Sequence, residues 1–272
     1  MTIQKFQEIE KEIIELIEKT LDDVESKSFS DYILLLAKAH YDEMLKKHPT
    51  LSPYRIENGI DDFVDYTRQK FYTSYLNNYR KSLLESVHYG IEKQEYNYNI
   101  QLMIYTQIWE SNVFLKQLCQ IASILNEQKY IWEPKLSPKK NFFTKIVKQL
   151  KQANSPLYKY INNTYDSCIR NAIAHSTYNI DTENNCIIFF SQNLSSSNSV
   201  SFFDWDEIFL YSVLICYHLS HSISIRKKTC TGKIFKVKIP LINSNSQLTA
   251  HITAETIDNH TEFSKVKGLP NP

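Results

Sequence analysis

Ile169-Arg170-Asn171-Ala172-Ile173-Ala174-His175-Ser176-Thr177-Tyr178 puts a permanent cation, an amide and a titratable imidazole on one short segment. At about 100° per residue on a helix, Tyr165, Cys168, Ile169, Ala172 and Ser176 share a side able to enter a core. Arg170, Asn171, Ala174 and His175 sweep the opposite side. Asn171 and His175 stack one helical turn apart, with the small Ala174 on the surface between them and Arg170. A planar guanidinium matches a phosphate in a bidentate fork, and an imidazole gives or takes a proton near neutral pH. The combination suits phosphodiester chemistry and implies a helical frame to carry it.

Composition agrees with that frame. The chain has 272 residues, 42% hydrophobic and 13% aromatic, enough for a substantial core. Only four Gly and eight Pro, with long stretches free of both, favour helices over a sandwich or barrel. The fold class read from this is mainly α: an antiparallel helical bundle, with a small β-hairpin after the motif helix and a β-hairpin at the C-terminus.

Just before the motif, Pro156 suits a first helical turn, so one helix is expected from about Pro156 to Ser176. Before that, Ile100 to Gln128 reads as the longest apolar helix and the centre of the bundle, with Met103, Ile104, Ile108, Leu115, Leu118, Ala122 and Leu125 on its face. Glu110, the acid in its middle, either orients Arg170 or His175 across the bundle or lies on the surface. Further back, Phe6, Ile9, Ile13, Leu16, Thr20 and Val24 mark an amphipathic helix. Ser30-Asp31 looks like a cap for a helix over Tyr32 to Lys47. Pro49, Pro53 and Asn58-Gly59 mark a loop, and Asp61 and Asp62 suit the start of a Tyr-rich helix. Its tyrosines either pack or stack on bases.

After the motif, Cys186–Phe190 and Val200–Phe203 read as a hairpin, and Asp204-Trp205-Asp206-Glu207 opens a helix to about Ser224. Cys216, His218 and His221 on that helix lack the further ligands a closed zinc site needs, so no metal is expected. From Lys233 the chain alternates as a strand, and Leu248 to Ala254 alternates again, giving the C-terminal hairpin. Residues 1–95 thus form an N-terminal helical region, 96–230 the motif-bearing bundle, and 231–272 a hairpin and a loosely ordered tail.

Charge is uneven although the formal net charge is only +1. Residues 1–31 carry nine acidic and four basic side chains, whereas Pro134 to Tyr165 hold seven Lys and no acid. Ile208 to Ala254 is also free of acid and holds Arg226, Lys227, Lys228, Lys233, Lys236 and Lys238. Lys145, Lys148 and Lys151 fall three apart on a basic helix, which is either a solvated face or a phosphate track. The five Cys form no Cys-x-x-Cys pair, as expected of free thiols in a reducing compartment. An acidic, amphipathic N-terminus is unlike a secretory signal, and no apolar run is expected to reach the roughly eighteen residues of a membrane span. A soluble, cytoplasmic protein is the expectation.

Arg170-Asn171 followed by His175, at a helix end and before strand-like sequence, resembles the signature of the HEPN superfamily: Arg, four to six residues, then His, often with a polar residue directly after the Arg. The resemblance covers about residues 96 to 230. It implies an α-helical bundle that often dimerises through the motif helix and joins two motifs into a metal-independent RNA-cleaving site. In one branch, paired with nucleotidyltransferase antitoxins, a Tyr stands two places after the His; here Tyr178 stands three places after His175.

The expected function is therefore endoribonuclease, as a toxin or phage-defence effector. Arg170, Asn171 and His175 are its catalytic candidates, and Lys145, Lys148, Lys151 and Tyr178 its candidate RNA-binding residues. No cofactor or metal is expected. The partners are RNA, a second copy of the chain and an antitoxin or regulatory protein. The alternative is a non-catalytic HEPN module that binds RNA or nucleotide or holds a dimer.

Overall fold

A computed structural model describes residues 1–48, 52–56, 60–85, 91–134, 139–191, 196–240, 247–257 and 260–265. Among these are nine α-helices and three small antiparallel sheets, so the chain is mainly α. In order they are α1 (Ile3–Lys27), α2 (Phe29–Leu36), β1 (His40–Tyr41), β2 (Tyr54–Arg55), α3 (Ile60–Leu84), α4 (Ile91–Glu110), α5 (Asn112–Leu125) and α6 (Lys139–Gln152). There follow α7 (Leu157–Thr164), α8 (Ser167–Ala174), β3 (Tyr178–Asp181), β4 (Cys186–Phe190), β5 (Ser197–Ser201) and α9 (Phe202–Lys228). The last sheet is β6 (Ile234–Pro240), β7 (Gln247–Ile257) and β8 (His260–Lys265).

The chain divides into two compact units, each of three segments. The first comprises Met1–Ile17, Asp65–Leu115 and Pro156–Leu219. The second comprises Glu18–Val64, Lys116–Ser155 and Ser220–Pro272. The helices α1, α3, α5 and α9 each contribute residues to both units. Residues 95 and 96, expected at a boundary, lie inside α4.

The first unit holds α4, α7, α8 and the β3–β4–β5 sheet, whose register pairs Ile180 with Ile187 and Ile187 with Val200. Its core is aromatic. Trp205 and Trp109 are almost wholly buried, and Tyr105 lies 5.4 Å from Trp205 and 6.2 Å from Trp109 by ring centroids. The Trp205 indole N–H donates to Gln101 Oε1 at 2.8 Å, so this ring brings no orphaned donor inside. Of the side of α8 expected to enter the core, Ile169 and Ala172 are buried, whereas Cys168 and Ser176 are exposed because the helix starts only at Ser167 and ends at Ala174.

In the second unit α2 packs on β6, whose Phe235, Val237 and Ile239 face inward in strict alternation. The buried Tyr130 hydroxyl donates to Ala39 O at 2.8 Å, just past α2, and lies 3.3 Å from Leu34 O in its last turn. Arg226 pairs with Glu18, Asp22 and Glu25 of α1, at 2.6, 2.7 and 3.7 Å.

Several expected elements end elsewhere. The long helix over 100–128 is two helices, because Ser111 interrupts it. The Ser111 N–H bonds Ile108 O at 3.1 Å, and its hydroxyl accepts from Phe114 N at 3.3 Å, capping α5. The motif helix is likewise broken at Tyr165–Asp166, where Asp166 caps α8 by accepting from Cys168 N and Ile169 N. The cap of α2 is Ser28, and the helix stops at Leu36 rather than Lys47, with Lys38 at φ 52° and Ala39 N bonded to Leu34 O. Phe202 and Phe203 begin α9, since Ser201 accepts from Asp204 N and caps it. Each expected hairpin is a three-stranded sheet: β3 joins the first and β8 the second, the latter over sequence expected to be loose. The expected loop at Asn58-Gly59 and the side chains of Asp61 and Asp62 lie outside the described residues.

The expectation about apolar runs also changes. α9 is long and apolar enough to cross a membrane by length and composition, its best 18-residue window having a mean hydropathy of 1.5. Ile208 to Ile225 contains no Asp, Glu, Lys or Arg, only uncharged polar groups and His among apolar ones. That window is 61% buried within the protein.

Candidate active site

Of the three catalytic candidates, Arg170 and Asn171 lie on α8 in the first unit and His175 at its C-cap, and local chemistry explains why this short helix is held so firmly. At its start, the Asp166 carboxylate accepts from Cys168 N at 2.6 Å and Ile169 N at 3.2 Å. The buried Tyr105 hydroxyl of α4 donates to Thr164 O at 3.0 Å and accepts from Asp166 N at 3.0 Å, pinning both sides of the break between α7 and α8. Burial pushes that phenol well above its ordinary range, so it stays a neutral donor.

At its end, α8 closes in a Schellman turn. Ser176 N bonds Ile173 O at 3.1 Å and Thr177 N bonds Ala172 O at 2.8 Å, with Ser176 at φ 55°. Thr177 is then fixed to β4: its carbonyl accepts from Phe190 N at 2.8 Å and its hydroxyl donates to Phe190 O at 3.1 Å. His175 is the C-cap itself, with φ −100° and ψ 5°. Its side chain is exposed on a backbone tied down on either side.

Arg170 is more enclosed, with 18% of its side chain exposed. Its Nη1 lies 3.0 Å from Glu110 Oε1, at the last residue of α4. The Glu110 side chain has features of both expected readings: it is 34% exposed and it is ion-paired with Arg170. The Arg170 Nε is buried and has no hydrogen-bond partner among the described residues. Asn171 is half-buried, and neither its amide nor the His175 ring is hydrogen-bonded within the described residues. The end of α8 thus carries an ion-paired guanidinium with one buried, unmatched Nε–H, a half-buried amide and an exposed imidazole.

Among the RNA-binding candidates, Tyr178 is in the same unit, on β3, and its hydroxyl donates to Asn99 Oδ1 of α4 at 2.8 Å. Lys145, Lys148 and Lys151 are all exposed on α6, in the second unit. The Cys216, His218 and His221 set reads differently from a ligand group. His218 Nε2 lies 3.3 Å from Glu10 Oε1, a carboxylate also paired with Arg80, and Cys216 Sγ accepts from Gln69 Nε2 at 3.9 Å. Among the described residues, no three His, Cys, Asp or Glu side chains gather where they could hold a metal ion.

The residues that position the motif were missed in the sequence. Asp166 carried a signal, an N-cap residue directly before Ser167-Cys168-Ile169, but the apolar spacing continuing from Tyr165 hid the break. Tyr105 carried none, since its role depends on a contact about sixty residues away along the chain. The chain matches no protein-family model, no curated protein and no solved structure.

Proposed function

We propose that this protein is an endoribonuclease of the HEPN type, acting in the cytoplasm as a toxin or phage-defence effector. The observation that carries the reading is the placement of Arg170, a part-exposed guanidinium, on the short helix that ends in the exposed His175. A guanidinium is the side chain suited to engage a phosphate through two parallel hydrogen bonds.

In the proposed reaction the RNA provides its own nucleophile. A ribose 2′-hydroxyl attacks the adjacent phosphorus and loses its proton to a base. The bond to the 5′-oxygen breaks, and that oxygen takes a proton from an acid. The products are a 2′,3′-cyclic phosphate and a 5′-hydroxyl. His175 serves as base or acid, and two copies meeting at α8 would divide the roles between their two rings. Arg170 neutralises charge growing on the phosphoryl oxygens, and Asn171 holds the phosphate or the imidazole. No metal enters this scheme. Lys145, Lys148 and Lys151 are candidate contacts to RNA phosphates, and Tyr178 follows the motif in sequence. An antitoxin or other regulatory partner restrains the activity.

The test is cleavage of a labelled structured RNA in excess chelator by wild type and by His175→Ala, with product ends identified. The expected result is cleavage by wild type alone, ending in cyclic phosphate, and none of single-stranded DNA. Cleavage of DNA at a comparable rate overturns the mechanism. A second reading, a non-catalytic module, draws on the same ion pair, because Glu110 already partly neutralises Arg170. It predicts RNA binding without cleavage by either protein.

A further inference from the structure

Met103 is out of place for an apolar residue of α4. Its spacing groups it with Ile104 and Ile108 on the core face, yet it is 45% exposed, whereas those two are wholly buried. A single exposed methionine is ordinary on a protein surface. What marks this one is its position beside the motif.

Asn99, Met103, Thr106 and Glu110 stand three or four residues apart on α4 and follow one another along one face. The segment from Arg170 to Tyr178 is tied to both ends of this stripe. Arg170 Nη1 lies 3.0 Å from Glu110 Oε1, and the Tyr178 hydroxyl donates to Asn99 Oδ1 at 2.8 Å. His175 falls between the two ties along the chain, and Met103 falls between them along the helix. Both side chains are exposed, and α4 and α8 pack on each other within the first unit. The thioether thus stands on the open surface that the motif segment runs along.

Charge decides what this surface can hold. From Gln94 to Glu110 the helix carries no Lys or Arg, and Glu95 and Glu110 put carboxylates at either end of the stripe. A phosphate is disfavoured there and is served by the motif instead; the uncharged part of a nucleotide, its base, is not disfavoured. The polar groups beside Met103 are already engaged with the protein. Asn99 Nδ2 donates to Glu95 O at 3.0 Å and its oxygen takes the Tyr178 hydroxyl, while the Thr106 hydroxyl donates to Leu102 O at 3.0 Å. What remains for a ligand is a polarizable apolar surface, which packs on the face of any base and reads little of its edge.

We propose that Met103, with the Tyr178 ring one helical turn away, seats one unstacked nucleobase next to the phosphate met by the motif. The protein thereby selects unpaired over paired RNA without selecting sequence, since a base inside a duplex has no free face. The inference rests on the ribonuclease reading for RNA as the ligand.

The test uses the full chain as wild type, Met103→Ala and Met103→Leu. The ligand is a short single-stranded RNA with 2′-O-methyl groups throughout, which removes the attacking hydroxyl and with it cleavage. Met103→Ala weakens binding of this strand by about 2- to 10-fold, the scale of a thioether–aromatic contact. Met103→Leu, still apolar and of similar size, keeps most of the affinity. Binding of a duplex of the same sequence is the same for all three proteins. A merely structural role for Met103 instead lowers both affinities together, in step with the folded fraction that thermal melting reports.

The location is read by ultraviolet crosslinking of the same strand carrying iodouridine at one position at a time, with the attached residue identified by mass spectrometry. The expected result in wild type is attachment to Met103 or Tyr178. Attachment only elsewhere overturns the inference whatever the cleavage result, as does equal weakening of single strand and duplex by Met103→Ala. Attachment at these residues, with no cleavage of unmodified RNA by wild type, supports the base seat and overturns the ribonuclease reading. Cleavage by wild type, with Met103→Ala binding the single strand as tightly as wild type, overturns the base seat and leaves the ribonuclease reading standing. Self-association lost in Met103→Ala with RNA binding unchanged assigns the stripe to a second copy of the chain and likewise overturns the base seat.

Discussion

Ser176 holds a left-handed backbone, φ 55°, in the turn that ends α8. Such a conformation costs a residue with a Cβ about 1–2 kcal/mol, and Gly is the usual occupant of this position. Ser176→Gly is therefore expected to stabilise the protein by up to about 1 kcal/mol, part of the relief being offset by the greater freedom of glycine in the unfolded chain. Urea denaturation measures it. An unchanged or lower midpoint means that the turn needs the serine for some other reason. Glu10 offers a pH-dependent counterpart. Burial alone would lift its carboxyl, but the hydrogen bond with His218 and the charge of Arg80 outweigh burial and hold it below the ordinary value of 4.5. A depressed folded value stabilises above the unfolded value, and that stability disappears as pH falls through the folded one. Acid titration of wild type and Glu10→Gln should give stability curves that differ in slope only below about pH 4.5, with wild type the steeper. Parallel curves through that range would exclude this contribution.

Between residues and the whole chain stand the two interrupted helices, and they show what the sequence could and could not reveal. The spacing of Phe6, Ile9, Ile13, Leu16 and Val24 marked α1, and all five are buried. The same rule joined α4 to α5 and α7 to α8, because an apolar stripe runs on through a kink when both helices face one core. The breaks are made by hydrogen bonds, not by a change of periodicity: a serine hydroxyl at Ser111 and an aspartate carboxylate at Asp166. Arg170, Asn171 and His175 were recognisable because they are neighbours in sequence. The Glu110 contact, about sixty residues away, was only one of two open readings until the elements were assembled. Asp166→Ala should cost about 1 kcal/mol by loss of the α8 cap. If the cap also sets the direction of Arg170, RNA cleavage by the folded variant falls as well. Serine at the same position, a competent cap, should restore both, and failure of Asp166→Ser to restore stability would point to a role for the carboxylate charge instead.

At the scale of the molecule, the acid-poor tracts carry a prediction that the net charge of +1 conceals. The motif belongs to one compact unit and the lysine row of α6 to the other, so the question is whether one RNA engages both. The exposed Lys145, Lys148 and Lys151 on α6 form either a solvated face or part of a phosphate track. Salt dependence separates these readings. Each phosphate neutralised on a single strand contributes about −0.7 to the slope of log affinity against log salt, through release of a condensed counterion. A triple variant with glutamine at the three positions should flatten that slope by about 2 if every lysine meets a phosphate. Exposed surface substitutions usually change stability by no more than about 0.5 kcal/mol each, so the melting temperature should move little and a flattened slope can be assigned to lost contacts. An unchanged slope with an unchanged melting temperature would make α6 a solvated face and leave phosphate binding to the motif-bearing unit.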